Sequence, residues 1–231
     1  MGEYYKWVNV DKKEYISPYE FDEGNKLYES MLAGNPLIEA LYALMAMDWK
    51  EDLLVFLGDE TSIADNDSNP VLRRLAEEQT QAGQTDYIMD YVEDSYRNIS
   101  GIFKAAEKEV RREIQFMIDH NDFEYNLYKV DRNRPFDGLF ERDGQSFRYT
   151  VNHTKKEFFD MEAVLPVQPE MRDKAVVRGN PLPLLMAFGE SASDDLLGLW
   201  LGDQIEVTDE PPAKTYKDMS EKYIAIWPKS R

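Results

Sequence analysis

The sequence predicts an α+β fold built from two copies of a hairpin-helix-strand unit, and three ordered matches predict it. Val8-Asn9-Val10-Asp11-Lys12-Lys13-Glu14-Tyr15 returns as Val151-Asn152-His153-Thr154-Lys155-Lys156-Glu157-Phe158. Gly34-Asn35-Pro36-Leu37 returns as Gly179-Asn180-Pro181-Leu182, and Phe56-Leu57-Gly58-Asp59 as Trp200-Leu201-Gly202-Asp203. The offsets are 143, 145 and 144 residues. The expected layout is a first unit over 1–70, a helical insertion over 71–124 and a second unit with a C-terminal strand over 125–231, together one compact domain. The strands are expected to form a mixed or mainly antiparallel sheet with the central helices packed on one side.

Each element has a local reason. Tyr4 to Val10 is rich in aromatic and β-branched residues and reads as a strand. Asp11-Lys12-Lys13 turns it, and Glu14 to Ile16 pairs back. Asn35-Pro36 opens a helix, because Asn caps well and Pro at the first helical position loses no needed hydrogen bond. Leu37, Leu41 and Leu44 give that helix a buried stripe. Leu53 to Leu57 is a short continuous apolar run, as in a strand covered on both faces. Ile99 to Met117 carries a helical stripe, and Glu107 and Arg111 pair four residues apart. Arg142-Asp143-Gly144-Gln145 reads as a hairpin turn. Leu196 to Leu201 is expected to be the second buried strand, and Lys222 to Trp227 the last strand.

Composition narrows the function classes. The 231 residues include no cysteine, which excludes disulfides, thiol catalysis and thiolate metal sites. No apolar run reaches the ~20 residues of a membrane span and no secretory h-region opens the chain, so a cytoplasmic protein without membrane contact is expected. The net charge of −18 repels nucleic acid and suits either solubility or a basic protein partner.

No Walker A loop, Gly-x-Gly-x-x-Gly, Gly-x-Ser-x-Gly or His-Glu-x-x-His motif is present. Asp65-Asn66-Asp67-Ser68-Asn69 begins like a calcium loop. It then has Pro70 where Gly belongs and Ala76 where Glu belongs, so it reads as a solvated loop or a weak cation site. His120 and His153 are read as a helix-end and a hairpin-tip residue, not as catalysts.

The duplicated acids are the best site candidates. Asp59 and Asp203 each follow an expected strand and a Gly, and Asp65 and Asp209 share the same offset. If the copies converge, Asp59 and Asp203 could hold a metal; otherwise Gly-Asp is turn chemistry repeated with the unit. The run from Tyr4 to Tyr15, Gly24 with Lys26-Leu27, and aromatic-x-Gly-Asp resemble a family of uncharacterised bacterial proteins of similar length. That resemblance implies that the hairpin-helix-strand unit is a real module. It implies no activity, cofactor or site residue.

The expected function is binding without turnover: an acidic inhibitor, immunity or anti-defence factor with no cofactor. Asp59, Glu60, Asp65, Asp67, Asp203, Glu206, Asp209 and Glu210 would steer a basic surface, and Tyr4, Tyr5 and Trp7 would supply contact energy. The alternatives are a metal-dependent hydrolase using the duplicated aspartates and a small-ligand sensor at the repeat interface.

Overall fold

The computed structural model describes residues 3–32, 34–63, 68–84, 87–121, 128, 130–164, 179–189 and 195–223. The expected residues Asp65 and Asp67, and the strand beyond Tyr223, lie outside them. The fold is α+β with two mixed sheets.

In chain order, β1 (Tyr5–Asn9) and β2 (Glu14–Ile16) form the predicted hairpin, followed by a 3-10 turn at Pro18–Phe21 and another at Glu29–Met31. Then come α1 (Pro36–Met45), β3 (Leu54–Gly58), α2 (Pro70–Ala82), α3 (Ile88–Ser95) and the short β4 (Arg97–Asn98). Two 3-10 turns, Ser100–Ile102 and Lys104–Ala106, lead into α4 (Glu107–His120). The remainder holds β5 (Tyr149–Asn152), β6 (Glu157–Asp160), α5 (Met161–Val164), α6 (Leu182–Leu185), β7 (Ala187–Phe188), β8 (Ile205–Thr208) and β9 (Lys217–Asp218).

The first sheet has the order β4-β2-β1-β3-β7 and the second β8-β5-β6-β9. In both, the first strand of a hairpin pairs antiparallel with a later strand, and the second strand pairs parallel with a two-residue edge strand. The first sheet is covered on both faces. Tyr5, Trp7, Leu54 and Phe56 point into a core shared with α1, α4 and the second sheet. Val8, Val10, Val55 and Leu57 point into a core closed by α2 and α3. That explains the unbroken apolar run of β3, whose alternate side chains are buried on opposite faces.

The two sheets share local ties around their hairpins. Asn9 Nδ2 donates to Asp52 at 2.8 Å, and Asn152 Nδ2 donates to Asp203 at 2.8 Å. The same asparagines accept from the amides of Lys12 and Lys155, each at 2.9 Å. Lys13 and Lys156 both take φ of 54° at the hairpin turns. Asp52 N bonds Trp49 O, and Asp203 N bonds Trp200 O, across turns with positive φ at Glu51 and Gly202. The edge strands also correspond: Ser100 N bonds Asn98 Oδ1 at 3.0 Å, and Ser220 N bonds Asp218 Oδ1 at 2.9 Å.

Several expectations need correction. Leu196 to Leu201 is a turn, not a buried strand, and β8 takes the place of β3. The pairing therefore matches Trp49-Lys50-Glu51-Asp52 to Trp200-Leu201-Gly202-Asp203. Asp59 matches Asp209, since each stands just after its strand and accepts from the amide of Tyr4 or Arg148. The 144-residue offset does not hold here, because the chain between helix and strand differs in length in the two regions.

The segment 71–124 is not purely helical: its Tyr96-Arg97-Asn98-Ile99-Ser100-Gly101-Ile102-Phe103 completes the first sheet as Tyr216-Lys217-Asp218-Met219-Ser220-Glu221-Lys222-Tyr223 completes the second. The helix α4 starts at Glu107 rather than Ile99, because Ile99 N bonds Tyr15 O and Asn98 caps Ser100. Arg142 to Gln145 makes no hairpin; Arg142 bonds the Ile102 and Lys104 backbone, and Gln145 bonds Glu39 O.

An acidic, tyrosine-lined cavity as the candidate site

Packing of α3, α4 and the first 3-10 turn against the open end of β1 and β2 leaves a cavity of ≈ 440 Å³. Its lining includes five acids (Glu20, Asp59, Glu93, Asp94, Glu113), four tyrosines (Tyr4, Tyr5, Tyr15, Tyr19) and one base, Lys6. That lone base is already engaged: Lys6 pairs with Glu93 and lies 5.6 Å from the Tyr15 ring centroid. With Glu93 paired to Lys6, the carboxylates left to give the cavity its sign are those of Asp59 and Asp94.

Glu20 is the least expected of them. Pro18 starts the 3-10 turn, and Asp22 ends it in the left-handed region, which turns Glu20 inward to 4% exposure. Its Oε1 accepts from Asn98 Nδ2 at 2.7 Å and from Tyr128 Oη at 3.1 Å. Oε2 is sealed from solvent, with no hydrogen bond of normal geometry among the described residues. Burial raises the Glu20 carboxyl above its ordinary range, against the pull of the Asn98 and Ser17 side chains.

Tyr128 Oη also stands 3.3 Å from Glu113 Oε2 on α4. Burial first, and then the neighbouring Glu20, push Glu113 up to about 7. Burial and the two carboxyls hold the Tyr128 phenol far above its usual value, so it keeps its proton. One hydroxyl thus bridges two carboxyls that hold protons more tightly than free glutamates do. A value about 7 places the charge change of Glu113 near neutral pH.

The predicted site residues divide. Asp59, Tyr4 and Tyr5 line this cavity, and Glu60 is exposed beyond its Asp59 edge. Tyr5 and Trp7 are corrected from an exposed aromatic face to the core, at 1% and 0% exposure; Tyr4 and Tyr19 remain exposed. Their alternation into a second covered layer could not be read from β1 alone.

Glu206 lies on β8 in the other sheet, and Asp203, Asp209 and Glu210 flank that strand. Asp203 is tied to Asn152 and Lys155, whereas Asp59 is tied to Tyr4. The two are not equivalent and share no hydrogen-bond partner among the described residues. No group of three or more metal-ligating side chains occurs among those residues either. Glu206 bonds His153 Nε2 at 2.8 Å, and Tyr216 Oη bonds His153 Nδ1 at 2.9 Å, so the tip histidine is a cross-strand tie rather than a free surface group.

The two Gly-Asp pairs also do different work. Gly202 takes φ of 84° in a turn, but Gly58 is needed for close approach. A Cβ there would collide with the carboxyl of buried Glu3, whose Oε1 accepts from Thr61 and Oε2 from Tyr5.

Sequence reasoning missed Glu20, Glu113 and Tyr128. The available signal was Glu20 between two aromatics, Tyr19 and Phe21, and Glu113 beside the apolar Val110 and Ile114 on α4. Comparison with family models, curated proteins and solved structures returns no match for this chain. Among the described residues, no helix is long and apolar enough to cross a membrane.

Proposed function

We propose that the protein is a non-enzymatic, acidic binding factor of the inhibitor, immunity or anti-defence type, and that it docks a basic protein surface at this cavity. The observation that carries the reading is the lining around ≈ 440 Å³, four tyrosines and five acids. Of these acids, Asp59 and Asp94 remain unpaired with any lysine or arginine among the described residues, while the one lysine is already paired with Glu93. A lysine or arginine side chain would find carboxylates to pair with and ring faces to lie against. Tyr4 and Tyr19, both exposed beside the cavity, would supply rigid contact area around the inserted side chain. The net charge of −18 would speed the encounter at long range.

The test is calorimetric titration with a tri-arginine amide peptide and with its tri-glutamine counterpart at two salt concentrations. Saturable binding of the arginine peptide alone, weakened by salt and by Asp94→Lys, supports the reading. Equal behaviour of the two peptides, or no effect of Asp94→Lys in a folded variant, overturns it.

A further inference from the structure

A second cavity has a different charge balance. It measures ≈ 420 Å³, within the range of roughly 300–1,000 Å³ usual for small-molecule sites, and it lies beside the turn of the β1–β2 hairpin. Four charged side chains line it: Lys12 at the turn, Glu14 on β2, Asp48 after α1 and Arg97 on β4. Both acids are already engaged. Glu14 is buried and accepts from Trp49 Nε1 and from Arg97 Nη2. Asp48 pairs with Arg142.

The two bases keep capacity to spare. Glu14 takes one nitrogen of the Arg97 guanidinium, and the other two have no hydrogen-bond partner among the described residues. The Arg97 side chain is 57% exposed, so these donors are open to a ligand. A guanidinium anchored at one nitrogen by a buried carboxylate offers a pre-oriented fork to a second oxyanion. Arg97 N bonds Lys13 O, which sets Arg97 beside the turn that carries Lys12. The Lys12 ammonium stands 3.8 Å from Asp52, beyond hydrogen-bond reach, and the side chain is 42% exposed. Its counterpart in the second hairpin, Lys155, bonds Asp203 directly. The same lysine thus closes on its aspartate in one sheet and stands off it in the other, where a cavity adjoins it.

We propose that this cavity binds a small organic monocarboxylate with an apolar body, its carboxylate held by Arg97 and Lys12. The apolar part lies against Leu44, Ile102 and Leu139, which also line the cavity. A cation would meet two bases, with both acids already taken. Inorganic phosphate would leave the apolar lining uncovered. A large polyanion is repelled by the chain's net charge of −18, whereas a small anion inside the cavity feels mainly the charges within a Debye length of about 8 Å. The site shares no lining residue with the acidic cavity, so it does not rest on the proposed basic partner.

Phenylacetate is a suitable probe, with phenylacetamide as the uncharged molecule of the same shape. Isotope-labelled protein is titrated with each while the Arg97 side-chain signal and the Ile102 and Leu139 amides are followed by NMR. The expected result is a saturable shift at these three residues with phenylacetate, and binding of phenylacetamide weaker by roughly tenfold or more. Arg97→Gln should weaken phenylacetate by about the same factor, and Lys12→Gln should weaken it several-fold, while neither changes the binding of the amide. No saturable shift, equal binding of the two probes, or unchanged phenylacetate binding in either folded variant would overturn the proposal. Lys12→Gln removes no contact with a buried group, so it decides the matter if Arg97→Gln fails to fold.

Discussion

The strand sets β4-β2-β1-β3 and β8-β5-β6-β9 share a set of local ties and diverge in what is attached to them. Both have an asparagine that ties a hairpin turn to a Trp-x-x-Asp turn, and both have an edge strand closed by an Asx-to-serine bond. In both, a carboxylate of the second hairpin strand accepts from a buried ring group: Trp49 Nε1 to Glu14 at 2.9 Å, and Tyr223 Oη to Glu157 at 2.6 Å.

The divergence falls just after that strand. Ser17 N and Asp160 N each bond a serine hydroxyl, so Glu20 in one copy stands where Ala163 stands in the other. Glu20 is buried among polar partners and Ala163 is exposed. The shared groups hold the fold; the acid that has no counterpart belongs to the site. The difference also separates structural acids, such as Asp52 and Asp203, from the cavity acids Glu20 and Glu113, which sequence repetition alone would have ranked the other way.

The comparison breaks first at the tryptophans. Trp49 and Trp200 are fully buried and occupy equivalent places, so Trp49→Ala and Trp200→Ala should each cost about 3–5 kcal/mol in urea unfolding. A small loss at one and a large loss at the other would mean that the equivalence is only geometric. Next come the clamp asparagines. Asn9→Ala and Asn152→Ala each remove a fully buried side chain that bonds a carboxylate and an amide, for an expected loss of about 2–3 kcal/mol in either copy.

The helix caps sharpen the contrast, because the copies are unequal there. Asn35 only caps, so Asn35→Ala should cost about 1 kcal/mol. Asn180 also bonds Tyr42, so Asn180→Ala should cost more, although α6 is shorter than α1. Equal losses would show that the Asn180–Tyr42 bond contributes little.

The smallest effect is the pH dependence set by Glu113 on α4. Glu113 binds its proton more tightly in the folded chain, up to about 7, than a glutamate does in the unfolded chain. Its contribution to stability is therefore fully present below the ordinary Glu range and is lost as pH rises through about 7. The variant Glu113→Gln should flatten the melting temperature between mildly acidic and neutral pH, while Glu206→Gln should leave this feature in place. A parent curve that rises with pH across that window would contradict the raised carboxyl.

The local chemistry of the chain was legible from its residues. The β1–β2 hairpin, the Asn35 cap, the buried β3 and the general α+β class follow from alternation, turn residues and capping, which act over a few positions. The tertiary structure decided what depends on distant partners. Whether Leu196 to Leu201 became a strand depended on a neighbour: β5 paired with Ile205–Thr208 instead. Whether Ile99 to Phe103 continued a helix depended on Tyr15 offering its carbonyl. The candidate site depended on it most, because Glu20, Asn98, Glu113 and Tyr128 come from four separate segments. Burial raises the carboxyls only once those segments close around them, and desolvation is a property of the packed neighbourhood that no single stretch of sequence contains.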